Sequence, residues 1–497
     1  MKTTKKVIQI LLPLVLLLAV LASCGVKEDI PWQKTTAKTS ATTAGAEDGT
    51  SSSSSANAES TASTTAPLPP PSFDGAEVII VSVGSRSKLN KLEFYYVDSE
   101  ESELAKELNE AYSELENRLD TVLCFSEMSY EDALADLSGN DFVGDAIYTK
   151  QIYWAPLAIN GYIQPLNTEE IRSAGFDVED PDTVDIYLTG ATKELDGENV
   201  WAASFSGKYF AQYWMSGLRF NKDIVAAVGY PAETLYQLVR DGQWTWDKLE
   251  EICRAVMANT DNDGLGVDSG VVEHIFNAMG IAPTRGTDGK WRAPSLEEVL
   301  RGADYALKWA GGAGEISFRL SSLSSSGISS EFERGKMAFA FTSADYLYVY
   351  NKVYPEGHGF PVGYLPSPKF TGNDAPAYTS LDINGICIPT ENSELRRTAY
   401  ALGEIAKIVN SAEGAREFMG GILPDEESVE MVMDYIIPGT VFARGSLSIP
   451  VNKVASRFRH ELFEIHDDIA GGHYDRDTVA QNYVTNVQAE IDKLFGY

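Results

Sequence analysis

Glu77-Val78-Ile79-Ile80-Val81-Ser82-Val83, Thr121-Val122-Leu123-Cys124-Phe125 and Asp145-Ala146-Ile147-Tyr148 are three short runs rich in β-branched and aromatic residues, the composition that suits a pleated, buried surface. Between the first two lies Ser99 to Leu119, with apolar and charged positions at helical spacing. Tyr130 to Leu137 reads as a short helix before the third strand, and Trp154 to Asn160 as one after it, ending at Gly161. Strand, helix, strand, helix, strand implies an α/β fold with a parallel sheet. Further on, Lys336 to Phe341 and Gly385 to Ile388 read as strands, and Ser393 to Val409 as a helix. Val451 to Phe495 is helical with a Gly471-Gly472 interruption.

The chain upstream of this pattern is of another kind. Lys2, Lys5 and Lys6 precede an apolar run from Val7 to Val20, then Leu21-Ala22-Ser23-Cys24. A basic head, a short apolar stretch and small residues are the parts of an export signal. The run is interrupted by Pro13 and falls short of the roughly 20 apolar residues that span a bilayer. Its Leu-Ala-Ser-Cys ending resembles the bacterial lipobox. That resemblance implies a signal peptide over residues 1–23 and a lipid on Cys24. Residues 24–74 then form a linker. From about Pro31 to Ser72 it is almost all Ser, Thr, Ala, Gly and Pro, with too little apolar surface to offset the entropy of ordering. As a flexible coil of about 40 residues it reaches roughly 35 Å.

Residues 75–497 are ordinary globular sequence, long enough for two domains. The formal charge of −32 weighs against nucleic acid, which needs a basic surface, and against adhesion to anionic lipid heads. Membrane attachment therefore falls to the anchor alone. Cys124, Cys253 and Cys387 are widely spaced in apolar settings and read as buried small hydrophobes. Asn259, Asp261 and Asp263 with Gly264 match the first half of a calcium loop, but position 12 is Gly270 where a bidentate glutamate belongs. A solvated acidic turn is the favoured reading there. His460 and His466 are six apart and fall on different helix faces, so a charged face is favoured over a metal site. Gly-x-Ser-x-Gly and the phosphate-cradling glycine motifs are absent from the sequence. The expectation is a protein that is not an enzyme and carries no cofactor or metal.

Seven motifs in order carry a resemblance. They are Gly144-Asp145-Ala146-Ile147-Tyr148 through Asn160-Gly161-Tyr162-Ile163-Gln164-Pro165-Leu166; Val200-Trp201-Ala202 through Gly217-Leu218-Arg219-Phe220-Asn221-Lys222-Asp223; Gly242-Gln243-Trp244-Thr245-Trp246; Thr260-Asp261-Asn262-Asp263-Gly264; Phe332-Glu333-Arg334-Gly335-Lys336-Met337-Ala338-Phe339; Gly363-Tyr364-Leu365-Pro366; and Asn384-Gly385-Ile386-Cys387-Ile388-Pro389. This series resembles family 1 extracellular solute-binding proteins, the carbohydrate ABC transporter group that includes maltose-binding protein. It departs from the pattern in its Ser-rich insert, Ser321 to Ser330, and at Asp382, where a glycine-rich turn is usual. The resemblance implies a two-lobed periplasmic-binding-protein-like fold, with a cleft and several interlobe crossings. Lobe 1 would comprise 75–210 and 375–425, and lobe 2 would comprise 211–374 and 426–497.

Sugars have apolar ring faces edged by hydroxyls, so a sugar site needs flat aromatics beside bidentate polar groups. Tyr148, Thr149 and Trp154 lie at or just after a strand's carboxyl end, where open α/β sheets bind ligands. Tyr209, Tyr213 and Trp214 fall on the first expected crossing, Ser343, Asp345 and Tyr346 follow a second-lobe strand, and Asp382 falls near the second crossing. These are the expected ligand-binding residues. The Trp244-Thr245-Trp246 run reads instead as core opening a helix, with Thr245 as its cap. The implied function is capture of a carbohydrate, an oligosaccharide, by a monomeric lipid-anchored subunit. It would stand at the extracellular face of the cell membrane and deliver to ABC permease subunits. A surface glycoside hydrolase and a peptide-binding lipoprotein are the alternatives.

Overall fold

The structure, a computed structural model, describes residues 69–84, 103–208, 216–310, 317–319, 325–343, 359–370, 378–379, 383–468 and 475–497, all within one compact unit, Ala66–Tyr497. The first of its two main sheets takes β1 (Glu77–Val83), β2 (Val122–Met128), β3 (Ala146–Lys150) and β4 (Ile163–Gln164) from the opening third of the chain. Helices α1 (Glu103–Leu119), α2 (Tyr130–Gly139) and α3 (Gln151–Ile159) alternate with them. Ser129 caps α2 by accepting from Asp132 N, and Asn140 ends it in the left-handed region at φ 60°, the helix-end geometry that Asn tolerates.

β1 pairs in parallel with both β2 and β3. The chain then builds a second sheet from β5 (Ser216–Asn221), β6 (Asp263–Val267), β9 (Ser317–Arg319), β10 (Met337–Ser343) and β11 (Val362–Leu365), in the order β11-β5-β10-β6-β9. A small hairpin, β7 (Thr284–Arg285) with β8 (Trp291–Arg292), follows β6 in sequence. Among the helices of this part are α4 (Trp246–Asn259), α5 (Gly270–Ala278) and α6 (Leu296–Ala310). Beyond β12 (Tyr378–Thr379), β13 (Asn384–Pro389) returns to the first sheet and lies antiparallel to both β3 and β4. The parallel pairing expected from the strand–helix alternation holds for β2, β1 and β3, while β13 makes the sheet as a whole mixed, order β2-β1-β3-β13-β4. Local patterning reveals parallel βαβ units; it does not reveal a strand arriving from more than two hundred residues downstream.

The first sheet is covered on both faces. Val78 and Ile80 of β1 pack with Leu108, Tyr112 and Leu115 of α1 and with Leu402 and Ile405 of α7 (Leu395–Val409). Val81 and Val83 pack on the other side with Trp154 and Leu157 of α3. That two-sided burial is why β1 reads as a nearly unbroken apolar run rather than an alternating one. In the second half Thr245 accepts from Lys248 N and caps α4, as expected. Trp244 and Trp246 are core, with Trp246 edge-on to Trp309 at 5.1 Å. Cys253 and Cys387 are buried, and Cys124 on the edge strand β2 is half-buried.

After α8 (Glu426–Glu430) the chain makes a π-helical turn, Met431–Ile436, and the short strand β14 (Thr440–Val441), which pairs with β12. It finishes in α9 (Ile449–Asp468) and α10 (Arg476–Phe495), which pack on each other and on α6. The stretch between β14 and α9 is held mainly by α3. Gln151, fully buried at the start of α3, donates from Nε2 to Ala443 O (2.7 Å) and accepts from Ala443 N at Oε1 (3.2 Å). Phe442 lies between Trp154 and Trp291, at 5.8 and 6.3 Å. Arg444 pairs with Glu194 at 2.9 Å. At the opposite end of the described body, Phe73 is buried against Tyr400 of α7, and Arg396 of that helix donates to Pro69 O (2.6 Å).

Candidate functional site

The parallel strands β1, β2 and β3 end together. Gly84 N donates to Met128 O (3.0 Å), and Thr149 Oγ1 donates to Val83 O (2.7 Å). Gly84 sits at φ 75°, and a Cβ there would stand 2.5 Å from the ring of Tyr153. Glycine is thus needed twice, for the left-handed turn and for the space the ring fills. Tyr153, near the start of α3, meets Tyr130, the first residue of α2, with centroids 4.9 Å apart and planes inclined at 35°. Both tyrosines are half-buried. Burial, reinforced by nearby Glu131, pushes the Tyr130 phenol up to about 12, so it stays a neutral donor and acceptor. Two partly open aromatic faces beside the carboxyl ends of parallel strands are suited to stacking on an apolar ring edged with hydroxyls.

In the second sheet, β6, β9 and β10 run parallel; Val267 and Arg319 end level, and β10 runs on to Ser343. Past β6, Asp268 accepts from Gly270 N at 2.8 Å, and α5 begins. His274 of that helix stacks on Phe341 of β10, centroids 3.9 Å apart and planes 10° apart, with Nδ1 3.3 Å from Ser367 Oγ. Burial, with the Arg459 charge adding to it, pushes the imidazole down to about 3. His274 is therefore a neutral packing group at physiological pH.

The expected site residues divide. Tyr148 lies on β3 between Ser82 and Ile386, only 8% exposed, and burial pushes its phenol far above the ordinary range. Thr149 is buried with its hydroxyl on Val83 O. Trp154 is 0% exposed, its indole N–H donating to Ile383 O at 2.9 Å. No face of Trp154 is open in this conformation, so its reading as a stacking platform is corrected to one of packing. The physical reason is the helix start. α3 begins at Gln151, which turns Trp154 inward and leaves Tyr153 at the rim. Ser343 ends β10 opposite Ser216. Tyr209, Tyr213, Trp214, Asp345, Tyr346 and Asp382 lie outside the described residues, as do Cys24 and the segment 1–68.

The Tyr130–Tyr153 pair was missed in the sequence. Its one local signal is Gly84 directly after the β1 run, a backbone position made small next to a ring. At the calcium-like stretch, Asn259 is the last residue of α4 and donates back to Ala255 O (2.7 Å), while Asp263 opens β6. The sequence thus runs from helix to strand across a short turn. Among the described residues no cluster of three or more His, Cys, Asp or Glu is placed to hold a metal ion. Among them, too, no helix is long and apolar enough to cross a membrane.

The architecture recurs in solved structures. A family 1 extracellular solute-binding protein from Alicyclobacillus acidocaldarius superposes with a TM-score of 0.56 at 9% identity, covering 85% of this chain and 100% of that one. The sugar-binding protein MalE from Xanthomonas citri gives 0.54 at 13%, covering 84% and 98%. The cyclic α-maltosyl-1,6-maltose binding protein from Arthrobacter globiformis gives 0.53 at 15%, covering 84% and 100%. Neither a protein-family model nor a curated protein matches the chain. The fold is that of the two-lobed periplasmic-type binding proteins, mixed α/β with two main sheets, and the likeness to extracellular solute-binding proteins of family 1 holds at that level.

Proposed function

We propose that the chain is the substrate-binding subunit of an ABC importer, tethered by a lipid on Cys24 at the extracellular face of the cell membrane. It captures an oligosaccharide and hands it to permease subunits, and it acts as a monomer without catalysis. The observation that carries this reading is the match of fold along nearly the whole body to proteins named for sugar binding. The Tyr130–Tyr153 pair supports it, since half-open phenol rings at strand carboxyl ends are what a sugar face stacks on. We take lobe 1 as 75–210 with 375–425, and lobe 2 as 211–374 with 426–497. Ligand lies between them, and closure is a hinge motion.

The test is thermal melting of the body from Ala66 onward against monosaccharides, oligosaccharides, amino acids and short peptides, with the products of each mixture examined. A ligand at 100 times its Kd stabilises the folded form by about 2.7 kcal/mol, enough to move the midpoint visibly. A shift with one sugar class and unchanged sugar supports capture. Cleavage of the sugar moves the assignment to a glycoside hydrolase, and a shift with peptides alone removes the carbohydrate assignment.

A further inference from the structure

We propose that the crevice between α5 and α9 is a second ligand site, for an uncharged polyol the size of glycerol. It is walled by Phe276 and Asn277 of α5, by Phe458 and Arg459 of α9, and by the stretch Ala443–Ser446 that Gln151 holds. It continues past the end of α5 to Ile281 and Pro283.

Tyr483 of α10 also lines this crevice. Its side chain is 7% exposed and its ring stacks on Phe458, with centroids 4.3 Å apart. Its hydroxyl makes no hydrogen bond to the described residues and keeps accessible surface. A phenol hydroxyl that opens on a crevice can both donate and accept there. A molecule that enters the crevice can take the place of water on that hydroxyl.

The other polar groups set the chemistry. Glu273 and Arg459 form an ion pair on the wall, with side chains 24% and 22% exposed. Their charges cancel, so a charged ligand would meet its like as well as its opposite. A carboxylate accepts, a guanidinium donates, and a phenol does both. A hydroxyl-bearing molecule answers all three, and Phe276, Ile281 and Pro283 cover its carbon skeleton. Size narrows the class. The interior volume is about 50 Å³, and one water needs roughly 10–15 Å³ of such space. The enclosed part takes a molecule of about half a dozen heavy atoms.

The experiment titrates glycerol against the full chain by saturation-transfer NMR, with Tyr483→Phe and Ala455→Leu beside the wild type. The first variant removes only the unpartnered hydroxyl, so its melting midpoint stays level or rises. The second fills the crevice from α9. Saturable glycerol binding in the wild type is expected, weakened at least tenfold in Tyr483→Phe, abolished in Ala455→Leu and unchanged in Tyr153→Ala. Absence of saturable binding in the wild type would mean the crevice holds water only and would overturn the proposal. Equal affinity in wild type and Tyr483→Phe would overturn it as well, and so would loss in Tyr153→Ala, which would place glycerol at the aromatic pair instead.

Discussion

Two neighbouring aromatic residues of α3 have opposite fates. Tyr153 stands half-open against Tyr130, while Trp154 is sealed in the core with its N–H on Ile383 O. The expected outcome of substitution differs accordingly. Tyr153→Ala should weaken sugar binding by tenfold or more and cost only about 1 kcal/mol of stability, the worth of the ring pair. Trp154→Ala should cost about 3–5 kcal/mol of stability, the toll of a large buried aromatic removed from a close-packed site. Calorimetric titration and urea unfolding of both variants check this, and equal losses of stability would refute the division of roles. The residue types at the site were legible in the sequence, since a sugar-stacking group had to be Tyr, Trp or Phe near this strand end. Which ring faced out was not. The answer depends on where the helix begins, and one residue of error in a helix turns a side chain by about 100°.

That error has a cause at the level of the element. The residue before α3 is Lys150, and no side chain caps the helix there, so the Ser, Thr, Asp or Asn that usually marks a helix start is missing. Pro156 inside the helix adds a second misleading mark. By contrast α2 and α4 carry Ser129 and Thr245 as working caps; α2 was legible close to its true bounds, and α4 at its start. The β13 strand was legible as a strand from Gly385 to Ile388. Its antiparallel place beside β3 was not, because register across two hundred residues leaves no local trace. The start of α3 also governs the stretch after β14 through Gln151. Gln151→Ala strips both partners from the Ala443 backbone in a buried place, and should cost about 2–4 kcal/mol, one to two unmet buried groups. Hydrogen exchange should show residues 440–447 opening sooner in that variant while β1 and β2 keep their protection. Uniform loss of protection everywhere would show that the clamp is not local.

For the whole molecule, the two sheets with chain passing between them follow the order of motifs seen in the sequence, and hundreds of residues of alternating strand and helix made the class readable. Its stability should depend on pH in a direction His274 fixes. The folded imidazole is pushed down to about 3, whereas an unfolded one titrates near 6.5. Above 6.5 both states are neutral. Between 6.5 and 3 only the unfolded chain takes the proton, so stability falls as pH falls through that window. The loss relative to pH 8 is about 2 kcal/mol by pH 5, at about 1.4 kcal/mol per unit. Asp185, whose carboxyl burial raises, gains stability on acidification and partly masks the trend in the wild type. The difference between wild type and His274→Gln isolates it. Denaturant unfolding at pH 8, 6.5 and 5 should show the variant losing less, and parallel curves would remove His274 as the cause.

Arg396 on Pro69 O and Phe73 against Tyr400 give the body a defined point of mechanical loading. A pull on the chain upstream of Pro69 first reaches α7, through one charge-assisted hydrogen bond and one buried ring. Only after those contacts and the Gly75 N–Asp120 O bond (2.8 Å) yield would tension enter β1, at that strand's amino end. There it runs along the strand, so that the ladders to β2 and β3 are loaded in shear, many bonds at once, rather than unzipped singly. The weak contacts at the root would thus act as a fuse. Drag on the protein is spent on a joint that re-forms on release, while the strand ends carrying the aromatic pair, at the far end of the same ladders, keep their shape.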